Sequence, residues 1–189
     1  MTGTSRADVR RNRERLLASA RDAFATDGTD ASLREIARRA GVGIGTLYRH
    51  FPTREALLEA ILDSNFDTLR ERAEQLLASP SHTPHEALLT WLNDLAASTR
   101  TYQGLPQSIM TALADESSEL YVSCAAMRAS GARLLGRAQE AGQVRPDLTV
   151  YEVIALAIGL AWAAQQPGGP SDLMERLLST AMYGLAAHG

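Results

Sequence analysis

A chain of 189 residues with 45% hydrophobic and 22% charged side chains is long enough to bury a core, and its composition excludes disorder. Its one cysteine, Cys124, excludes internal disulfides, and the absence of any CxxC or Cys/His cluster argues against structural zinc and for a reducing cytoplasm. The formal net charge of −3 hides a division: 11 Arg stand against 7 acidic residues up to Glu55 and 8 against 15 beyond it, so a basic head of +4 precedes an acidic body of −7. The N-terminal segment is basic but lacks the apolar run of a secretory signal, and the longest apolar stretch, Val153 to Ala164, is well short of the roughly 20 residues of a membrane span. No membrane role is expected.

Nothing alternates apolar and polar residues long enough for a sheet, while helical spacing and helix caps recur, so the fold class is all-α. A first helix is expected from about Arg10 to Thr26, with Leu16, Leu17, Ala20, Ala23 and Phe24 on one face and Gly28 in the left-handed position after its end. Ahead of it, Arg6, Arg10, Arg11 and Arg13 form a basic arm, either reaching a minor groove or staying solvated. "SLRE" is a capping box in which Ser32 accepts from the backbone and Glu35 reaches back, opening a short helix that ends near Arg39 and is closed by Gly41. Ile44 to His50 make a third helix, stopped because the residue before Pro52 is pushed out of the α region. Thr53 caps a fourth, which runs to the break at "SPSHTP".

Beyond that break, "TPHE" and "TVYE" are capping boxes at Thr83 and Thr149, and Ser171 caps the last helix. Between them a broken helix around Tyr102 to Ala114 precedes a long one from about Asp115 to Ala141, ended by Gly142. The domains are expected at 1–52 and 53–189, joined by the continuous fourth helix.

Two short helices joined by a glycine turn make a helix-turn-helix, with Ile36, Ala37, Val42 and Leu47 as its small core. The exposed face of the second helix is then Ile44, Gly45, Thr46, Tyr48, Arg49 and His50, of a size that enters a major groove. Gly45 permits close approach, Ile44 suits a thymine methyl, and Thr46 and Tyr48 carry hydroxyls for bases or phosphates. Thr53 and Arg54 open the fourth helix, where free amides and a cation suit a phosphate. Ser32 and Arg34 complete the candidate DNA-binding set. Phe51 reads as hydrophobic seam, while Tyr48 and His50 are either contacts or part of that seam.

At these residues the chain resembles the TetR family of bacterial transcriptional regulators: "SLREIARRAGVGIGTLYRHFPTREALLEAIL" is similar to that family's DNA-binding signature, and the resemblance covers roughly residues 10 to 62. It departs at Gly43, where many members place a Ser or Thr cap, and at Ile44, apolar where a polar contact is common. The resemblance implies a three-helix DNA-binding head and a larger helical body for ligand binding and dimerisation. It also implies a cytoplasmic homodimer that binds double-stranded operator DNA as a repressor and is released by a small-molecule effector.

In the body, Trp91, Leu95, Tyr102, Ile109, Met110, Leu113, Tyr121, Cys124, Met127 and Leu156 are soft or aromatic and suit a ligand cavity; the alternative for each is ordinary core. No basic neighbour of Cys124 is evident, so it reads as inert. His82, His85 and Glu86 have loosely metal-like spacing but sit in a linker and a first helical turn, so no metal and no cofactor are expected. The helix from Val150 to Gln165 is apolar almost all round and is expected to be buried on both faces. With the last helix it supplies a two-fold interface: Val150, Ile154, Ile158 and Trp162 with Leu173, Leu177, Leu178, Ala181, Met182 and Leu185. The alternative to a regulator is a helical small-molecule-binding protein or enzyme with a structural head, but no nucleophile with a partnered base, phosphate loop or metal set is visible, so an enzyme is not expected.

Overall fold

The structure, a computed structural model, describes residues 6–99, 105–165, 170 and 172–184. Among them are nine α-helices and no strand: α1 (Arg6–Asp27), α2 (Leu33–Arg39), α3 (Ile44–His50), α4 (Arg54–Ala78), α5 (Pro84–Ser98), α6 (Gln107–Ala114), α7 (Glu119–Glu140), α8 (Val150–Ala164) and α9 (Leu173–Gly184). No helix among the described residues is long and apolar enough to cross a membrane. Tyr102, Ser171 and Leu185 lie outside the described residues, as does the Met182 side chain.

The chain divides into two compact units, residues 1–64 with 101–121, and 65–100 with 122–189. It first passes from one to the other within α4, after Ser64. In the first unit, α1 buries Leu16, Leu17, Ala20, Ala23 and Phe24, the face its spacing predicts, and packs on α2, which packs on α3. Each such leucine withdrawn from water contributes about 1.5–3 kcal/mol. Gly28 ends α1 at φ +74, its N–H donating to Phe24 O at 3.0 Å, which fixes where the chain turns into α2. Leu57, Leu58, Ile61 and Leu62 are the buried face of α4 within this unit.

In the second unit, α5, α8 and α9 pack together. Trp91 of α5 is fully buried, its Nε1 donating to Leu69 O at 2.9 Å. Gly131 of α7 lies against that indole: an added Cβ would stand 2.3 Å from Trp91 Cη2. A glycine inside a helix costs about 1 kcal/mol of propensity. Overpacking costs about 1–3 kcal/mol and the hydrogen-bonded ring cannot yield, so close approach decides the residue. Both later capping boxes form as the sequence predicts. Thr83 Oγ1 accepts from Glu86 N–H at 3.2 Å and Thr149 Oγ1 from Glu152 N–H at 3.4 Å, with each glutamate returning to its cap backbone.

Several boundaries differ from the sequence reading. The four N-terminal arginines are not an extended arm: α1 starts at Arg6, and Arg11 bonds Asp8 at 3.1 Å while Arg10 faces Glu14 at 3.7 Å. These i,i+3 and i,i+4 pairs favour the helix they sit on. The long α7 begins at Glu119, because Asp115 Oδ1 instead binds Ser117 N–H at 2.9 Å and makes a turn. Within the single chain, α8 buries one face and exposes the other. Val153, Ala157 and Ala161 are buried, whereas Tyr151, Ile158 and Trp162 are 64%, 42% and 61% exposed.

Candidate nucleic-acid interface

Ser32 is extended at φ −69, ψ 115, and its Oγ accepts the N–H of Glu35 at 3.4 Å, so α2 starts where its cap predicts. The reciprocal half of the expected capping box is absent. Glu35 turns instead to Arg38, whose Nε and Nη2 bond its two oxygens at 2.8 and 2.7 Å, and to Arg39 Nε at 2.9 Å. Those bonds, Arg38 first, hold the Glu35 carboxyl down at about 2. Two guanidiniums thereby share one carboxylate, and the cluster keeps one net positive charge.

After α2, Gly41 takes φ +68, Val42 N–H reaches back to Ala37 O at 3.0 Å, and Gly41 N–H reaches Arg38 O at 3.1 Å. This six-to-one closure satisfies the orphan carbonyls of α2 and reverses the chain into α3. The turn is covered by α1: a Cβ on Gly41 would lie 2.5 Å from Arg15 Nη2. Gly43 caps α3 in extended geometry without a side chain. Phe51 ends it at φ −136, ψ 93, as the following Pro52 requires, donating to Leu47 O at 2.8 Å.

Leu47 is fully buried, with Ile36 and Ala37 beneath it, while Val42 is half-buried. Fixing Leu47 inward fixes what faces out. Gly45, Tyr48 and Arg49 are exposed, Tyr48 at 49%, and Ile44, Thr46 and His50 are half-buried. Arg49 Nε donates to Gly45 O at 3.3 Å, and Phe51 is buried, its ring 6.1 Å from that of His50. The result is a short helix with one buried leucine and a solvent-facing edge of small, aromatic and cationic side chains. Ser32 and Arg34 are exposed at the start of α2.

At the start of α4, Thr53 is exposed and its Oγ1 accepts Ala56 N–H at 3.0 Å, so it is a helix cap. Arg54, expected at a phosphate, also has partners within the chain. One of its nitrogens, Nη1, donates to Thr29 O at 2.7 Å and Ala31 O at 2.6 Å, tying α4 to the turn between α1 and α2. Sequence spacing gives no sign of this, because the partners are backbone oxygens more than 20 residues away.

The residues expected to line a ligand cavity are not gathered within either unit. Ile109, Met110, Leu113 and Tyr121 belong to the first, and Trp91, Leu95, Cys124, Met127 and Leu156 to the second. Trp91, Leu95, Ile109 and Met127 are buried, but Met110 is 49% exposed because α6 is amphipathic and turns its Ile109 inward. Arg128, one turn along α7, places Nη1 3.4 Å from Cys124 Sγ, a basic neighbour that the sequence reading missed. Burial nonetheless pushes the thiol up, with Arg128 only opposing it. An open groove of about 440 Å³ in the second unit is lined by Thr83, His85, Gly142, Gln143, Ser179 and Tyr183, none of them in the expected set. Glu86 is occupied in the capping box, and no group of three metal-type ligands occurs among the described residues.

Of the residues expected at a two-fold interface, Leu178 is fully buried within the chain and so belongs to its own core. Val150, Ile154, Leu173, Leu177 and Ala181 are half-buried, and Ile158 and Trp162 are exposed. Two large exposed side chains on the same helices, Tyr151 and Tyr183 (77% exposed), were not singled out in the sequence because tyrosine is unremarkable at a surface.

Residues 16–61 match the family described as "Bacterial regulatory proteins, tetR family", and residues 83–187 match "Transcriptional regulator SbtR-like, C-terminal domain". The TetR transcriptional regulator SCO0520 of Streptomyces coelicolor is similar over 94% of this chain and 99% of its own, at 32% identity and a TM-score of 0.70. A TetR transcription regulatory protein of Mycobacterium vanbaalenii is similar over 96% and 98%, at 36% identity and a TM-score of 0.66. The HTH-type transcriptional regulator SAR0097 of Staphylococcus aureus (strain MRSA252) is 35% identical over 82 residues, 42% of each chain. The chain thus matches about half the length of its curated relatives. With an N-terminal helix-turn-helix model and a C-terminal regulator model both matched, the chain belongs to the TetR family of bacterial transcriptional regulators.

Proposed function

We propose that this chain is a cytoplasmic, homodimeric, ligand-responsive repressor that binds double-stranded operator DNA through α3 and is released by a small-molecule effector. The observation that carries the reading is the division of α3: Leu47 fully buried, with Gly45, Tyr48 and Arg49 facing solvent. A helix held by one apolar anchor and presenting its other side is what a major groove accepts. Ile44, Gly45, Thr46, Tyr48, Arg49 and His50 read or approach the bases and their phosphates, with Ser32, Arg34 and Thr53 at flanking phosphates. Arg54 contributes only what its clamp leaves free.

A two-fold protein reads two half-sites about 34–36 Å apart. The effector acts by binding better to a conformer whose heads no longer match that spacing, since only differential affinity shifts such an equilibrium. Family membership, with a regulator-type C-terminal match, supports the effector and the repressor sign.

Footprinting of the region upstream of its own gene tests the reading. Two protected half-sites are expected, lost in Tyr48→Ala while the helical spectrum persists. Undiminished protection with Tyr48→Ala and Arg49→Ala together would remove α3 from the interface and the reading with it.

A further inference from the structure

Most arginines of the head are spoken for. Arg10 and Arg11 face Glu14 and Asp8, Arg38 and Arg39 share Glu35, Arg54 clamps two carbonyls, and Arg21 Nη2 donates to Ser64 Oγ at 2.6 Å. Arg13 differs. Its guanidinium carbon lies 5.7 Å from the centroid of the Phe51 ring, and no acid or carbonyl among the described residues accepts from its nitrogens. Phe51 is the C-cap of α3 and is buried, with the His50 ring 6.1 Å from its own. A side chain of the first helix is therefore parked against the far end of the helix that faces the DNA.

A guanidinium held over a ring face by cation–π attraction uses none of its N–H donors there, so its fork is kept for other acceptors. That fork matches two oxygens of one phosphate. Because Arg13 sits on a packed helix and rests on a buried ring, less side-chain freedom remains to be lost on binding. Paired arginines must first break or share a bond to a carboxylate, whereas Arg13 exchanges only water.

We propose that Arg13, held over Phe51, is a DNA-backbone phosphate clamp at the C-terminal end of α3. The inference rests on the DNA-binding reading above and adds to it a contact from outside the helix-turn-helix. It replaces the idea of a loose basic arm with one fixed cation.

Phosphate contacts are independent of sequence, so a fluorescein-labelled mixed-sequence duplex suffices, with anisotropy titrations of the full chain over a range of KCl. Each neutralised phosphate contributes about 0.9 to the slope of log affinity against log salt. Arg13→Gln is expected to weaken binding several-fold at low salt and to reduce that slope by about 0.9 per bound head. Arg13→Lys retains the slope, because its charge persists, but binds more weakly, because the planar fork is gone. Arg145→Gln, an equal charge change in the second unit, leaves the slope alone. An unchanged slope in Arg13→Gln overturns the clamp while leaving the DNA-binding reading standing. A slope lost in Arg13→Lys as well, or an equal loss in Arg145→Gln, overturns it too. A wild-type chain with no salt-dependent affinity overturns both.

Discussion

The guanidinium of Arg54 donates from a single nitrogen to Thr29 O and Ala31 O, at distances normal for charge-assisted bonds, and is partly buried there. Its chain position, two residues beyond Pro52 at a helix start, suits a phosphate just as well, and from the sequence alone the two roles cannot be separated. Hydrogen bonds from a charged donor contribute about 1.5–3 kcal/mol each, so losing both in Arg54→Ala is expected to lower unfolding stability by about 3 kcal/mol or more in urea titrations. Arg54→Lys should recover part of that loss, since an ammonium also donates to carbonyls. If the alanine variant melts with the wild type, the clamp carries no weight and Arg54 returns to the set of free cations. Cys124 is the converse case. Its neighbour Arg128 stands one helical turn along, where spacing could have found it although the sequence reading missed it, yet desolvation, which depends on the surrounding fold, decides the direction in which the thiol moves.

At the scale of the element, what was legible is what obeys a local rule. Gly28, Gly41 and Gly142 all take positive φ at helix ends, and the capping boxes at Thr83 and Thr149 close. The box at Ser32 closes only halfway, because Glu35 has two arginines within one turn that outcompete a single backbone N–H. That choice makes α2 sensitive to acid. The carboxyl lies near 2 in the folded chain against 4.5 for the free group, so its contribution is fully present above about pH 4.5 and is lost as pH falls through 2. Glu35→Gln should flatten that part of the acid unfolding curve, followed by circular dichroism, and lower stability at neutral pH. The same change frees Arg38 and Arg39, so under the DNA-binding reading duplex affinity at low salt should rise while stability falls. Movement of both quantities in the same direction would mean that the pairs do not govern the charge available to a phosphate.

For the whole molecule, charge and apolar surface pull in different directions. Under the proposed reading, a head of +4 on a body of −7 gives a single chain weak attraction to DNA, so tight binding calls for two heads on one duplex, where the second engagement is intramolecular. Under the homodimer proposed above, α8 and α9 offer an apolar surface for joining two chains. Trp162, Tyr151 and Tyr183 are more than half exposed and Ile158 is 42% exposed, on helices whose other faces are packed. Sequence periodicity found these helices but not their inward side, because α8 is apolar almost all round and its pattern cannot say which face the chain itself covers. The structure settles that locally: Val153, Ala157, Ala161 and Leu178 are buried in the protomer, and the aromatic side chains are exposed. Large aromatic side chains dominate the energetics of such interfaces, with losses of about 2 kcal/mol or more on truncation. Trp162→Glu places a charge where desolvation would be required, so sedimentation should find a monomer at concentrations where the wild type is a dimer. Duplex affinity should then fall by at least about tenfold through loss of the second head, with α3 untouched. A Trp162→Glu chain that still sediments as the wild type does would move the two-fold axis off this edge of α8.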